Sequence, residues 1–162
     1  MERVLIMMIG VPGSGKSTYA KNLQKDFGFP IVSSDKVRGE LYGDESNQSN
    51  PAVVFNLVYK RVSYFLDQVG ICILDATNCS RKNRRTAIKR LRPTKIFYIL
   101  MDVDIQTCKE QNAARDRVVP DYVIDKMEKD FWLDFPWDDR LYFDNKNIWV
   151  YSYKDFDGNF VY

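Results

Sequence analysis

The chain has 162 residues, of which 45% are hydrophobic and 28% charged, a composition typical of a folded globular protein rather than a disordered one. Its net charge of +2 is too small for a generally polyanion-binding surface, so any nucleic-acid contact must come from a local basic cluster. Histidine is absent, which excludes histidine general bases, Ser-His-Asp triads and histidine metal sites and leaves base catalysis to a carboxylate.

The first predicted element is a strand at residues 4–9, and a glycine-rich segment follows it directly. That segment, Gly10 to Ser17, fits G-x-x-x-x-G-K-[ST], in which glycines let backbone N–H groups approach phosphates. A helical pattern begins at Ser17, so the positive end of its dipole faces the same anion. We therefore predict a nucleoside-triphosphate site rather than a purely structural turn. Its predicted residues are Gly10, Val11, Pro12, Gly13, Ser14, Gly15, Lys16, Ser17 and Thr18.

Strands and helices then alternate along the chain. The predicted strands cover residues 4–9, 31–34, 71–74, 95–101 and 148–151. The predicted helices start at residue 17, at 36 after Asp35, at Pro51 with Asn50 as cap, at 81 after the cap Ser80, at 104 and at 120. A turn at Asp157-Gly158 predicts a terminal hairpin.

This alternation predicts an α/β fold of the P-loop NTPase class. We expect a single three-layer domain over residues 1–162, with a central parallel sheet of about five strands and helices on both faces. A helical lid is expected at about 110–120, and an aromatic-rich extension with a strand or hairpin at about 133–162. In such a sheet the ligands bind at the carboxyl ends of the strands.

The second predicted strand ends at a carboxylate and a guanidinium, Asp35 and Arg38, whose spacing puts both side chains on one helix face. Together they suit an acceptor hydroxyl, with Asp35 taking its proton and Arg38 fixing a phosphate or another anion. An N-cap role for Asp35 and a surface role for Arg38 are equally consistent with the spacing.

The third predicted strand ends in Asp75-Ala76-Thr77-Asn78. Asp75 matches a Walker B carboxylate, which holds Mg²⁺ directly or through water. Thr77 and Asn78 are expected to supply neutral hydrogen bonds to the substrate or the P-loop. In the next helix, seven basic residues predict either a solvated face or a patch that follows a nucleic-acid backbone. They are Arg81, Lys82, Arg84, Arg85, Lys89, Arg90 and Arg92.

Two further arginines, Arg115 and Arg117, lie in the predicted lid between two helices. Phosphoryl transfer needs positive charge on the transferring group, and Arg115 is the preferred candidate to supply it. Ordinary helical pairing, for instance of Gln111 with Arg115, is the alternative. Aromatic residues of the C-terminal extension either stack bases of a single strand or complete the sheet.

The three cysteines, Cys72, Cys79 and Cys108, are odd in number and lack C-x-x-C spacing, which favours a reduced setting over disulfides or zinc. The first apolar run is too short to span a bilayer. We therefore expect a soluble cytoplasmic protein that does not associate with a membrane, and the sequence indicates no obligate protein partner.

With these motifs together, the chain resembles the P-loop kinase family that includes phage and bacterial polynucleotide 5′-hydroxyl kinases. The resemblance spans about residues 4–131, most of the chain. It rests on the P-loop combined with S-D-x-x-R at 34–38, D-A-T-N at 75–78 followed by Arg84-Arg85, N-A-A-R at 112–115 and Val119-Pro120. The combination is far more specific than the P-loop alone.

The resemblance implies ATP as phosphoryl donor and Mg²⁺ as cofactor. It also implies that Asp35 is the general base, that Arg38 contacts the acceptor's adjacent phosphate and that Arg115 closes on the donor phosphates. Asp75 is expected to help with metal or substrate, and Arg84 to contact the acceptor. The sequence departs from the family at Gln111, where relatives often carry arginine, so the lid charge is lower or is carried by Arg117.

The sequence thus predicts a kinase acting on the 5′-hydroxyl of an RNA or DNA strand. A kinase of nucleotides or other small molecules is the nearest alternative. A regulatory P-loop protein without an acceptor is the second. A conventional GTPase is disfavoured, because residues 145–148 lack the aspartate of N-K-x-D.

Overall fold

The computed structural model describes residues 1–116 and 118–158. Its strands are β1 (Val4–Ile9), β2 (Ile31–Ser33), β3 (Ile71–Asp75), β4 (Lys95–Leu100) and β5 (Ile148–Ser152). Within the described ranges, all five are parallel and form one sheet in the order β2-β3-β1-β4-β5. The predicted α/β fold with a central parallel sheet is confirmed. Because β1 is central, the segment that follows it lies at the middle of the carboxyl edge.

Helices follow the strands along the chain. Among the described residues they are α1 (Lys16–Phe27), α2 (Ser34–Tyr42), α3 (Pro51–Gln68), α4 (Arg81–Leu91), α5 (Ile105–Ala113), α6 (Asp121–Leu133) and α7 (Asp139–Tyr142). A 3-10 turn, Pro136–Asp138, precedes α7. Gly28 and Gly43 end α1 and α2 in the left-handed conformation, with φ of 76° and 69°, which a residue without Cβ adopts most easily.

β1 is buried on both faces, because its alternate side chains enter two separate cores. Leu5, Met7 and Ile9 pack with residues of α3 and α4, whereas Val4, Ile6 and Met8 pack with residues of α1. A strand that is buried on both faces has apolar side chains on both, so its sequence does not alternate between polar and apolar residues. This explains why residues 4–9 are a continuous apolar run rather than an alternating one.

The main differences from the sequence predictions concern the ends of three helices. α2 begins at Ser34 rather than after Asp35, because the Ser33 side chain accepts a hydrogen bond from the Lys36 N–H at 3.4 Å and caps the helix. Asn50 is the N-cap residue of α3, as predicted, but its φ is 49° and its side chain makes no capping hydrogen bond. The sequence predicts that the helix starting at 104 extends to about Arg117, but α5 ends at Ala113, and the described residues after it form a loop.

A buried ionic network fixes the C-terminal segment to the sheet. Arg84 and Asp139 are both fully buried, with Arg84 Nε 2.7 Å from Asp139 Oδ2. Asp139 also accepts hydrogen bonds from Tyr98 Oη at 2.7 Å and Arg81 Nε at 2.9 Å. Arg84 donates in addition to the carbonyl oxygens of Asn78, Cys79 and Asp134. Burial and the neighbouring Asp139 raise the pKa of Tyr98, so it stays a neutral donor.

The aromatic C-terminal residues divide into two groups. Trp149 and Tyr151 of β5 stack on Phe97 of β4, with ring centroids 5.4 and 6.3 Å apart, so these residues complete the sheet. Trp137 and Tyr142 of the same extension are exposed. The predicted terminal hairpin needs residues 159–162, which lie outside the described residues.

Replacing Asp139 by alanine should destabilise the protein by about 3–5 kcal/mol, because a buried guanidinium would lose its countercharge. For a chain of this length that corresponds to a Tm loss of more than about 6 °C. Asp138→Ala, at the exposed neighbouring position, is the matched control and should shift Tm by less than about 2 °C. Equal Tm values for the two variants would contradict the anchoring role of Asp139.

Candidate active site

The P-loop connects β1 to α1 and is shaped by two glycines. Gly13 and Gly15 have φ of 83° and 90°, in the left-handed region. A Cβ atom on Gly13 would collide with the carbonyl oxygen of Cys108 in α5. The loop therefore packs directly against α5 and tolerates no side chain at this point, and its backbone stays open toward the cavity above it.

The polar side chains of the P-loop contact each other and the end of β3. Lys16 Nζ donates to the Val11 carbonyl oxygen at 3.1 Å, so the ammonium curls over the loop. Ser17 Oγ donates to Asp75 Oδ2 at 2.7 Å. Ser14 Oγ is buried and makes no hydrogen bond among the described residues. A lysine, an unsatisfied hydroxyl and backbone N–H groups around a glycine-rich loop fit a nucleotide phosphate chain.

The two charges at this site are both desolvated. Burial lowers the pKa of Lys16, against the opposing effect of Asp75. Burial likewise raises the pKa of Asp75, although Lys16 and the Ser17 hydrogen bond act in the other direction. Each group therefore lacks full compensation for its charge in the free protein. Phosphate oxygens beside Lys16 and a divalent cation beside Asp75 would supply that compensation.

Ser17 and Asp75 are the residues that could hold Mg²⁺. Magnesium is usually bound by one or two protein oxygens, with phosphates and water completing its coordination. Within residues 1–116 and 118–158, no group of three or more His, Cys, Asp or Glu side chains comes together as an alternative metal site. The hydroxyl and carboxylate pair fits a metal that is shared with a nucleotide.

The carboxylate and guanidinium predicted for the acceptor form an ion pair. Arg38 Nη1 lies 2.8 Å from Asp35 Oδ1 and 3.5 Å from Ser34 Oγ, and the guanidinium is 5.8 Å from the centre of the Phe55 ring. The Arg38 side chain is only 11% exposed, against 35% for Asp35, so the carboxylate is the more accessible of the two. The N-cap interpretation of Asp35 is wrong, because Ser33 caps α2.

Both halves of the predicted site line one cavity of about 560 Å³, a size typical of ligand pockets. The P-loop side contributes Gly13, Gly15, Lys16, Ser17 and Thr18. Asp75 and Thr77 line it from the end of β3, and Asp35 and Arg38 from α2. Sequence reasoning missed the further lining by Ser46, Gln48 and Phe55 on one side and by Tyr122, Val123 and Met127 on the other.

Asn78 does not face the cavity, contrary to its predicted substrate contact. It is 5% exposed, and its Nδ2 donates to the carbonyl oxygens of Met8 at 2.8 Å and Ala76 at 3.2 Å. The Gly10 N–H also donates to the Thr77 carbonyl oxygen at 3.0 Å. Asn78 therefore joins the carboxyl ends of β1 and β3, which aligns the P-loop with Asp75.

The prediction that Arg84 contacts the acceptor is wrong. Its guanidinium is fully buried and committed to Asp139 and three backbone carbonyls, because burying this charge demands a complete set of partners. Arg85 and Arg90 of the same helix lie over the rings of Phe143 and Tyr59. Much of the basic helix is thus engaged within the protein.

The segment predicted to form a lid continues as a loop after α5, and a buried amide holds its Arg115 side chain. Arg115 lines the main cavity and donates from Nη2 to Asn112 Oδ1 at 2.9 Å. Asn112 is 1% exposed and also binds Val119 at two points, accepting from its N–H at 3.1 Å and donating to its carbonyl oxygen at 2.7 Å. Arg117, the other predicted lid arginine, lies outside the described residues.

Asn112 thus ties the start of the loop after α5 to Val119 and holds the Arg115 guanidinium. Sequence reasoning gave it no role beyond membership in N-A-A-R. The available signal was a short amide near the end of a helix, a position that suits hydrogen bonds to a following loop.

Residues 5–133 of the sequence match the family AAA_33, described as an AAA domain. No match was found among curated proteins. Within the described residues, no helix has the length and apolar character needed to cross a membrane.

Several solved structures are similar to this chain. A gluconokinase from Sinorhizobium meliloti 1021 is 13% identical, with a TM-score of 0.59 over 93% of this chain and 82% of that chain. A sugar kinase from Janibacter sp. HTCC2649 is 15% identical, with a TM-score of 0.63 over 96% and 87%. A chain of the Pnkp1/Rnl/Hen1 RNA repair complex is 20% identical, with a TM-score of 0.74 over 82% of this chain and 45% of that chain. These similarities show a P-loop kinase-like fold.

Asp75→Asn should weaken the binding of nucleotide and Mg²⁺ without lowering the stability of the ligand-free protein. Because the pKa of Asp75 is raised in the folded state, its charged carboxylate destabilises the fold. This destabilisation is absent at pH values below the pKa of the unfolded state, and it grows as the pH rises through the pKa of the folded state. At pH 8 the ligand-free variant should therefore have a Tm equal to or above that of the wild type, and any gain should shrink toward about pH 4. Its Tm increase on adding ATP and Mg²⁺ should fall.

Thermal melts with and without nucleotide at several pH values measure both effects. A ligand-free Tm at pH 8 clearly below that of the wild type would show that the Ser17–Asp75 hydrogen bond outweighs the burial of charge, against this expectation.

Asn112→Ala should weaken nucleotide binding about tenfold, because Arg115 loses its orienting partner. If the amide acts through Arg115, the double variant with Arg115→Ala should bind no more weakly than Arg115→Ala alone. Titration calorimetry with a non-hydrolysable ATP analogue measures the four affinities. Gln106→Ala, at an exposed position of α5, is the control. Additive losses in the double variant would contradict an effect transmitted through Arg115.

Proposed function

We propose that this chain, which belongs to the AAA domain family AAA_33, is a kinase that transfers the γ-phosphoryl group of ATP to the 5′-hydroxyl of an RNA or DNA strand. The observation that carries the proposal is the Asp35–Arg38 ion pair, which lines the same cavity as the P-loop. A protein that only binds or hydrolyses nucleotide has no need of a carboxylate and a guanidinium facing its donor site. An acceptor with a hydroxyl beside a phosphate needs both.

On the donor side, Lys16 exchanges its hydrogen bond to the Val11 carbonyl oxygen for contacts to the β- and γ-phosphates. Ser17 and Asp75 would hold Mg²⁺, which neutralises charge on the β- and γ-phosphate oxygens when bound. Arg115 faces this region from the lid, where its charge balances the oxygens of the transferring group.

On the acceptor side, Asp35 accepts the proton of the 5′-hydroxyl while the hydroxyl oxygen forms a bond to the γ-phosphorus. The bond between the γ-phosphorus and the β,γ-bridging oxygen breaks in line, and its electron pair leaves with ADP. Arg38 binds the phosphate on the 3′ side of the same nucleotide, which fixes the hydroxyl beside Asp35. No covalent enzyme intermediate is needed.

A small-molecule kinase is the second candidate. The similarity to a gluconokinase and to a sugar kinase, each over more than 80% of its chain, favours it. In that case Arg38 would bind the carboxylate or phosphate of a small acceptor. Phe55 beside Arg38 favours a flat ring near the anion and so supports the nucleic-acid strand over a sugar acid.

The decisive experiment is an acceptor panel with γ-labelled ATP and Mg²⁺. It contains 5′-hydroxyl oligoribonucleotides and oligodeoxyribonucleotides, nucleoside 3′-phosphates, nucleoside monophosphates and gluconate. Label should transfer to the oligonucleotides. Transfer to gluconate alone would establish the small-molecule kinase instead. Hydrolysis or binding of ATP without transfer to any acceptor would indicate a P-loop protein that lacks an acceptor.

Asp35→Asn should reduce phosphoryl transfer about 10²- to 10⁴-fold, because the amide cannot take the hydroxyl proton. ATP affinity should stay within about threefold of the wild type, since the P-loop is intact. Initial rates of label transfer and titration with the ATP analogue measure the two quantities. Asp26→Asn, on the exposed end of α1, is the matched control. Unchanged transfer in the Asp35 variant would exclude this carboxylate as the base.

A further inference from the structure

A second cavity adjoins the main one between the start of α4 and α6. Its volume is about 320 Å³, and it shares Thr77, Tyr122, Val123 and Met127 with the main cavity as common walls. The two spaces therefore meet at the carboxyl edge of the sheet. The main cavity holds the residues assigned to ATP and to the reacting hydroxyl, and the second cavity has no role in that assignment.

Four polar side chains around this second cavity are uncommitted, whereas the Ser80 hydroxyl caps α4. They are the Asn83 amide, the Tyr122 hydroxyl, the Lys126 ammonium and the Asp130 carboxylate. Across residues 1–116 and 118–158, none of these four groups makes a hydrogen bond or an ion pair. Tyr122 is 74% exposed although it stands at the junction of two cavities. Donors and acceptors left open around a cavity are groups available to a ligand.

The two arginines near this cavity, in contrast, already have partners within the protein. Arg81 is paired with Asp134 and Asp139 and lies 3.8 Å from the Tyr142 ring centre, and Arg84 is buried. The charges left for the cavity are one ammonium and one carboxylate, which balance each other. A phosphate would meet the Asp130 carboxylate there, so the lining disfavours an anion.

A nucleobase matches the lining better. The Met127 and Val123 side chains and the Tyr122 ring offer apolar surface to a flat ring, and bases stack on such surfaces without sequence preference. Asn83 can both donate to and accept from a base edge, and Asp130 can accept from an exocyclic amino group.

We propose that the second cavity binds the base of the nucleotide that follows the 5′-terminal one in the acceptor strand. The inference rests on the proposed function and deepens it, because it makes the preferred acceptor a strand of at least two nucleotides rather than a mononucleotide. The 5′-terminal nucleoside occupies the main cavity between Asp35 and Arg38, and the chain leaves past Thr77 toward Asn83 and Tyr122.

Three acceptors test it: a nucleoside 3′-phosphate, a 5′-hydroxyl dinucleotide with a 3′-phosphate, and the same dinucleotide with an abasic second residue. The complete dinucleotide should have a kcat/KM about tenfold above that of the abasic one, the scale of one stacked base. The abasic dinucleotide and the mononucleotide should be phosphorylated at similar rates. All three carry the phosphate expected to bind Arg38, so the comparison isolates the second base.

The variants Asn83→Ala and Tyr122→Ala should bring the ratio of complete to abasic dinucleotide close to one. Both side chains are exposed, and their thermal melts check that folding is unaffected. Tyr64→Ala removes another exposed tyrosine, on α3 and outside both cavities, and should keep the wild-type ratio.

The outcomes separate the two proposals. Equal kcat/KM for complete and abasic dinucleotides in the wild type would overturn the base site while leaving the kinase activity established. A ratio that the two variants do not change would assign the second base elsewhere and also overturn it. Transfer to none of the three acceptors would overturn the proposed function, and the base site with it.

Discussion

The join between the carboxyl ends of β1 and β3 is the constraint on which the rest of the site depends. The Asn78 side-chain amide donates to the Met8 carbonyl oxygen, and the Gly10 N–H donates to the Thr77 carbonyl oxygen. The segments that follow β1 and β3 therefore stay in contact beyond the last hydrogen bonds between the two strands. Parallel strands normally diverge into separate loops at this edge. Here the join keeps Ser17 within hydrogen-bonding distance of Asp75, and it puts Thr77 on the wall common to both cavities.

The features that sequence reasoning recovered are those with a local cause. The apolar run of β1 follows from burial on both faces, and the P-loop follows from glycine conformations within eight residues. The Asp35–Arg38 pair is likewise set by one helical turn. Long-range contacts decided the rest. Whether Arg84 faces solvent or Asp139 depends on a segment 55 residues later, and the two-point binding of Val119 by Asn112 depends on the path of a loop.

Arg84 shows why a run of basic residues is a weak guide to a binding surface. In a helix at the side of a sheet, some positions must face inward whatever their charge. An arginine there is accommodated when a carboxylate, a tyrosine hydroxyl and backbone carbonyls complete its hydrogen bonds, as Asp139 and its neighbours do. Because the buried Arg84 guanidinium is stable only with these partners in place, its burial holds the C-terminal segment in one position.

The strand order has an evolutionary consequence. The P-loop follows β1 and Asp75 ends β3, two strands inside the sheet, whereas Asp35 and Arg38 follow β2, a three-residue strand at its margin. Mutations at the margin can remodel the helix and loop after β2 without shifting the strands that hold the P-loop. Such a division lets a P-loop scaffold change the segment after β2 while the loop between β1 and α1 keeps its shape.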